Sequence, residues 1–149
     1  MKAESVQYDR FFEENMPDEE DHGNKEKTFV WYLNEEIMHG NTASLGAATG
    51  RAVVIKKDED MLKVKDGFVI ICKTASPGLV SVLAKANAIA AENGGQAALV
   101  MRAARACGIP AAAGIPGLTE KISDGDIVRV DGTNGTVAIK KRIILRQLK

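Results

Sequence analysis

The chain holds two histidines, His22 and His39, and two cysteines, Cys72 and Cys107. Imidazole nitrogens and thiolates are the commonest protein nucleophiles and metal ligands, but the spacing here organises neither chemistry. Both histidines fall within the first 40 residues, where solvated, non-catalytic roles are expected. The cysteines form no zinc spacing and no disulfide framework. Each sits in an apolar segment and reads as a small core residue in a reducing compartment. Arg102 and Arg105 are three residues apart in QAALVMRAARACG (96–108), on nearly the same face of a helix. They either hold a phosphate, a carboxylate or an acidic partner surface, or stand as solvated helix charges.

The elements that must position these groups lie in a chain of 149 residues, 45% of them hydrophobic. That is enough for one domain with a real core plus a tail. No run approaches the 18 apolar residues of a transmembrane helix. The opening MKAESVQYDRFFEENM has no apolar h-region, so no secretory signal is read and a cytoplasmic protein is expected. The formal net charge is zero, yet residues 1–40 carry 4 basic and 11 acidic side chains and residues 41–149 carry 16 and 9. An arm of −7 thus precedes a domain of +7. MPDEEDHGNKEK (16–27) buries too little apolar surface to offset its ordering entropy, so residues 1–27 are expected to be an acidic, disordered, mobile arm. Tyr8, Phe11, Phe12 and Met16 stand at helical spacings in it; they either dock on a partner or graze the protein's own surface. Residues 28–42 read as a connecting segment, in which FVWYLNEEI (29–37) is apolar enough to tie the arm down.

From residue 43 onward the punctuation is regular. RAVVIKK (51–57), GFVIICK (67–73) and NAIAAE (87–92) read as strands. SPGLVSVLAKA (76–86) reads as a helix, with Pro77 in its first turn and Ser76 as N-cap. QAALVMRAARACG is a second helix, which Gly108 ends. DIVRVDG (126–132) and VAIKK (137–141) read as a hairpin turned by Asn134-Gly135. Strands and helices alternate in the middle, which implies an α/β domain over 43–149, a mixed sheet with helices packed on it.

Four stretches resemble the mobile, phosphohistidine-carrying swivelling domain of the phosphoenolpyruvate-utilising enzymes: ASLGAATGRAVV (43–54), TASPGLVSVLAKANAIAAENGG (74–95), GGQAALVMRAARACGIPAAAG (94–114) and DGDIVRVDGTNGTV (124–137). They occur in that family's order and spacing. The resemblance implies a swivelling β/β/α fold. It also implies a histidine after the Gly-Gly turn that accepts a phosphoryl group at one site and yields it at a second, distant one. Such transfer needs a side-chain nitrogen that attacks when neutral and leaves well when phosphorylated.

Aligned on Gly94-Gly95 and Gly108-Ile109-Pro110, the chain has Leu99 where the family has that histidine, with Ala97 and Ala98 before it. Leucine offers no lone pair, and no histidine lies anywhere between residues 40 and 149. What the resemblance leaves is an anion site without its nucleophile. Gly94 and Gly95 let backbone approach a ligand, and the N–H groups of Gln96, Ala97, Ala98 and Leu99 face it. Arg105 matches the family's arginine before Gly-Ile-Pro, Arg102 stands one turn earlier, and Ser76 lies near the loop or serves only as a cap. No catalytic residue, cofactor or metal is expected. The expected function is that of a stand-alone, non-catalytic swivelling-domain subunit or regulator. It would act with separately encoded, kinase-like nucleotide-binding proteins or phosphoenolpyruvate/pyruvate-binding proteins. The alternative is a phosphotransfer component that uses another group, or binds a phosphorylated or carboxylate ligand at the Gly-Gly loop. A membrane partner is not expected. Nucleic acid is disfavoured, since +7 is modest and no aromatic-rich basic patch accompanies it.

Overall fold

The computed structural model describes residues 8–10, 27–33, 36–95 and 98–147. In chain order its strands and helices are β1 (Tyr8–Arg10), β2 (Lys27–Leu33), β3 (Glu36–His39), β4 (Asn41–Ser44), β5 (Ala47–Ile55), β6 (Val69–Thr74), α1 (Val80–Leu83), β7 (Ala88–Asn93), α2 (Leu99–Cys107), β8 (Ala111–Ala113), α3 (Leu118–Lys121), β9 (Ile127–Asp131), β10 (Thr136–Lys140) and β11 (Arg142–Gln147). Strands β1, β2 and β11 form a three-stranded sheet, and the other eight form one sheet in the order β3-β10-β9-β5-β6-β7-β8-β4. The mixed sheet with helices packed on it is the α/β architecture expected from the sequence. Of the acidic arm expected over 1–27, Tyr8–Arg10 pairs with β2, while Phe11, Phe12, Met16 and His22 lie outside the described residues. The segment read as a connection, 28–42, supplies β3, most of β2 and the start of β4.

Strands β5 to β8 run parallel and the remaining neighbours antiparallel. Successive side chains of a strand face opposite ways, and here both ways lead into core. Val53, Ile55, Ile70, Cys72, Ile89 and Ala91 meet Leu79, Leu83, Val100, Met101 and Ala104 on the helical side. Ala52, Val54, Val69, Ile71, Ala88 and Ala90 meet Leu118, Ile122, Val128, Val130, Val137 and Ile139 on the other. Two-sided burial explains why RAVVI, VIIC and AIAA read as unbroken apolar runs, without the alternation of a half-wet strand. Burial also pushes the Cys72 thiol up to about 12, so it stays protonated.

The two outermost strands of the eight, β3 and β4, are consecutive in sequence with only Gly40 between them. The sheet must therefore curl until its flanks meet. They meet at the β9–β10 hairpin loop, where Gly40 N–H donates to the Gly135 carbonyl at 2.8 Å and Gly132 N–H to the Gly46 carbonyl at 2.7 Å. A Cβ on Gly132 would overlap the Ser44 carbonyl oxygen and lie 2.9 Å from that of Ala111. The hairpin turn differs from the expected two-residue Asn-Gly form, because Asp131 pairs with Thr136 and leaves a four-residue loop. Gly135 has φ +72° and, among the described residues, no non-glycine has positive φ, whereas a type I′ turn needs both central residues there. The Asp131 carboxylate instead accepts from the Asn134 N–H at 3.1 Å and its amide at 2.9 Å.

The first expected helix is also shorter than 76–86. A 3₁₀ turn over Pro77–Leu79 leads into the single turn of α1. The chain is then drawn back to the sheet as the Lys85 carbonyl accepts from Gly67 N–H at 2.9 Å and Asn87 N–H donates to Phe68 at 2.8 Å. After β5, a second 3₁₀ segment, Asp58–Lys63, is stapled by Asp60. Its carboxylate accepts from Lys56 N–H at 2.8 Å and Lys57 N–H at 3.2 Å and pairs with Lys63 at 3.0 Å. The Lys56 N–H, and then the Lys63 ammonium, hold its carboxyl down at about 2.

Gly132→Ala should cost about 3 kcal/mol in urea unfolding, because the clash is with backbone that cannot rotate away. Gly95→Ala, whose Cβ meets nothing within 4 Å, should stay within about 0.5 kcal/mol of the parent. For Asp60, a carboxyl held below its unfolded value of about 3.9 contributes stability above that pH and loses it as pH falls toward 2. The urea midpoint of Asp60→Asn should therefore lie below the parent's at pH 6 and converge with it toward pH 2. A gap independent of pH would show that Asp60 does not act through its charge.

Candidate functional site

Parallel strands end together, and the ends of β5, β6 and β7 form one edge of the sheet. Thr74 at the end of β6 is in register with Asn93 at the end of β7, and the Asn93 amide donates to Thr74 Oγ1 at 3.4 Å. From this edge leave the two loops that carry the expected site residues. Ser76 and Pro77 follow β6, and Gly94 and Gly95 follow β7. Such an edge is where open α/β sheets place ligands.

Gly94 adopts φ +95°, a conformation glycine enters without a Cβ penalty, and so turns the chain sharply off the strand. Gly95 is exposed, and its carbonyl accepts from Ala98 N–H at 3.1 Å. Gln96 and Ala97 lie outside the described residues. Ala98 is the N-cap of α2 and supplies no capping side chain. The N–H groups of Leu99, Val100 and Met101 occupy the first turn, where a helix has no intrahelical acceptor for them. Leu99 opens the helix with 55% of its surface exposed, while Val100 and Met101 behind it are fully buried. The helix starts three residues later than expected and ends where expected, with Gly108 left-handed and Ile109 N–H returning to the Ala104 carbonyl at 2.8 Å.

The two arginines stand differently. Arg102 is exposed one turn from Leu99. Arg105 lies about 9 Å along the axis from Leu99, and its Nη1 donates to the Ala43 carbonyl at 2.8 Å. It ties the far half of α2 to β4 and is not aimed at the Gly94–Gly95 loop. Ser76 is the N-cap by position, its carbonyl accepting from Leu79 N–H at 3.0 Å, but its hydroxyl makes no capping bond. His39 pairs with Thr136, the first residue of β10. Since β10 and β5 both run antiparallel to β9, His39 sits at the opposite edge of the sheet from Leu99. Cys107 is exposed at the end of α2. Among the described residues, no three of His, Cys, Asp and Glu group as a metal centre, and no helix is long and apolar enough to cross a membrane.

One participant at this edge escaped the sequence reading. Glu92, half-buried one residue before Asn93, accepts from the Thr119 N–H at 2.8 Å and from the Thr119 hydroxyl. Those bonds, with the nearby charge of Lys73, hold its carboxyl below the usual range. The strand end that launches the Gly-Gly turn is thereby anchored to α3. The signal was present in AIAAEN, where one carboxylate interrupts a run of small apolar residues.

Residues 64–135 match the family model described as "PEP-utilising enzyme, mobile domain". The probable phosphoenolpyruvate synthase of Pyrococcus horikoshii is 39% identical over 103 residues, which cover 69% of this chain and 12% of that one. The uncharacterized phosphotransferase YvkC of Bacillus subtilis is 35% identical over 108 residues, 72% of this chain and 13% of that one. The chain thus spans about an eighth of the length of these relatives. Among solved structures, Thermococcus kodakaraensis aconitase X resembles it with a TM-score of 0.54 at 21% identity, over 70% of this chain and 98% of that one; that likeness is one of fold. It is through residues 64–135 that the chain matches the phosphoenolpyruvate-utilising enzyme mobile domain.

Proposed function

We propose that this domain is a non-catalytic member of its family, a subunit or regulator that takes the seat of an active phosphoryl carrier without accepting the phosphoryl group. The observation that carries this reading is Leu99. It stands, solvent-exposed, as the first residue of the helix after the Gly-Gly turn, and counting from Gly94-Gly95 to Gly108-Ile109-Pro110 puts it where the resemblance implies the phosphorylated histidine. A hydrocarbon side chain there can fill an apolar contact but cannot form a bond to phosphorus. His39 cannot substitute from the opposite edge of the sheet, and Cys72 is buried with its thiol held protonated.

Its partners, on this reading, are cytoplasmic proteins that bind nucleotide or phosphoenolpyruvate and pyruvate, encoded separately from this domain. The first-turn N–H groups of α2, the positive end of the helix dipole and exposed Arg102 suit an anionic surface or a bound phosphate on such a partner. Gly94 and Gly95 let that surface come close. Arg105 has no part in this contact, being committed to Ala43.

The test is to restore the missing nitrogen. Leu99→His, incubated with labelled ATP or phosphoenolpyruvate and the nucleotide-binding and phosphoenolpyruvate-binding proteins encoded beside this one, should acquire acid-labile label. The unaltered protein should suppress that labelling when added in excess, because it occupies the same seat. Labelling of Leu99→His that excess parent protein leaves untouched would contradict the proposal. So would failure of both proteins to bind any of these partners.

A further inference from the structure

The sequence contains asparagine followed by glycine twice, at Asn93-Gly94 and Asn134-Gly135, and the fold treats the two pairs oppositely. Such a pair has a reaction of its own, because a residue without Cβ leaves its backbone nitrogen open to the neighbouring side chain. The glycine nitrogen adds to the asparagine Cγ. The N–Cγ bond forms as the Cγ–Nδ2 bond breaks, and ammonia leaves with the proton that the backbone nitrogen gives up. Water then opens the five-membered imide at either carbonyl, giving aspartate or isoaspartate. The reaction consumes nothing but water, and it needs both residues free to rotate into the ring.

Asn134-Gly135 lacks that freedom. Gly135 is buried, its N–H donates to the Asp131 carbonyl at 2.8 Å, and its carbonyl accepts from Gly40 N–H at 2.8 Å. Backbone atoms of Asn41 and Thr42 lie 2.9 and 3.0 Å from the place a Cβ would take. The Asn134 amide is tethered to the Asp131 carboxylate at 2.9 Å, and the Asn134 N–H at 3.1 Å. The charge of that carboxylate also opposes the oxyanion that forms at Cγ during addition. Closing the imide here requires the corner itself to open. Asn93-Gly94 stands at the other extreme. Both residues are exposed, and among the described residues nothing lies within 4 Å of the Cβ position of Gly94 or Gly95. The Asn93 amide is held by a bond of 3.4 Å to Thr74 Oγ1, long for a hydrogen bond. Thr74↔Asn93 is the last rung of the β6–β7 ladder, and ladder ends open at a free-energy cost far below that of a core.

We propose that Asn93 is a site of spontaneous deamidation in the folded protein, while Asn134, in the same dipeptide, is held off by the closed corner. The product matters because of where it forms. Aspartate at 93 loses the donor to Thr74 and adds a carboxylate next to Glu92, one residue before the Gly94–Gly95 turn. Isoaspartate also lengthens the main chain there by one methylene. Either change sets the loop against anions. The inference stands whether or not the domain carries phosphate.

The parent protein, kept folded at neutral pH and sampled over weeks, is digested, and the peptides holding residues 93 and 134 are read by mass spectrometry. Asn93 should deamidate at least tenfold faster than Asn134. In guanidinium chloride the two rates should come within about threefold of each other, since both pairs then lie in open chain. Gly132→Ala, which strains the corner, should speed Asn134 and leave Asn93 at the parent rate, with circular dichroism showing that the fold is retained. An Asn93 that reacts no faster than Asn134 in the folded parent would overturn the proposal. So would a rate ratio that survives unfolding, or a folded Gly132→Ala protein in which Asn93 gains as much as Asn134.

Discussion

The tightest constraint in the molecule is the corner β3–Gly40–β4 against the hairpin loop of β9 and β10. One residue separates strands that stand at opposite ends of the eight-strand order, so the curl of the whole sheet is set where their backbones touch that loop. Gly40, Gly132 and Gly135 are glycines because carbonyl and backbone atoms of facing segments occupy the space a Cβ would need. Thr133 reinforces the contact, its hydroxyl accepting from Gly46 N–H at 2.9 Å and its carbonyl from the Thr42 hydroxyl at 3.3 Å. Once the sheet is curled, one face of β5, β6 and β7 is enclosed by β9, β10 and α3 and the other is left for α1 and α2. The long connections then gather at the ends of the parallel strands, and the Gly94–Gly95 loop is among them.

This explains which parts of the fold could be read from the sequence. β5, β6 and β7 were legible because burial on both sides demands short apolar runs between turn residues, and α2 because its apolar stripe ends at Gly108. Ala111-Ala112-Ala113 was not legible as a strand. Alanine has little intrinsic preference for one, and it is there because β8 is buried on both faces between β7 and β4. β3 and β4 were read as a connection because Glu36, His39, Asn41 and Thr42 look polar. Their pairing is dictated by the corner glycine and by partners far along the chain, about a hundred residues away in β10 and about seventy in β8. A turn residue was recognised at Gly135, but its reason is tertiary: the loop must admit another segment's backbone as well as reverse the chain.

The candidate site divides in the same way. The Gly-Gly turn, the start of α2 and Ser76 share one edge because β6 and β7 run parallel, a consequence the strand pattern already contained. The partner of Arg105 was not legible beside Arg102, because helical spacing fixes the direction of a side chain but not its partner. The Ala43 carbonyl, brought beside α2 by the curl, takes the Arg105 guanidinium. Glu92 went unnoticed because its importance lies in Thr119, on an element too short for periodicity to reveal.

On the proposed reading, the domain keeps the framework of its matched family and carries leucine where a phosphoryl-accepting side chain would stand. The match over residues 64–135 supports the framework, and the hydrocarbon side chain of Leu99 supports a role without covalent transfer. The most direct measurement is ³¹P NMR of the unaltered protein held with phosphoenolpyruvate, ATP and its nucleotide-binding and phosphoenolpyruvate-binding partners. The account predicts only the resonances of the substrates, their products and inorganic phosphate. A phosphoramidate resonance, or any other phosphoryl signal that travels with this chain on gel filtration and is lost in acid, would contradict it.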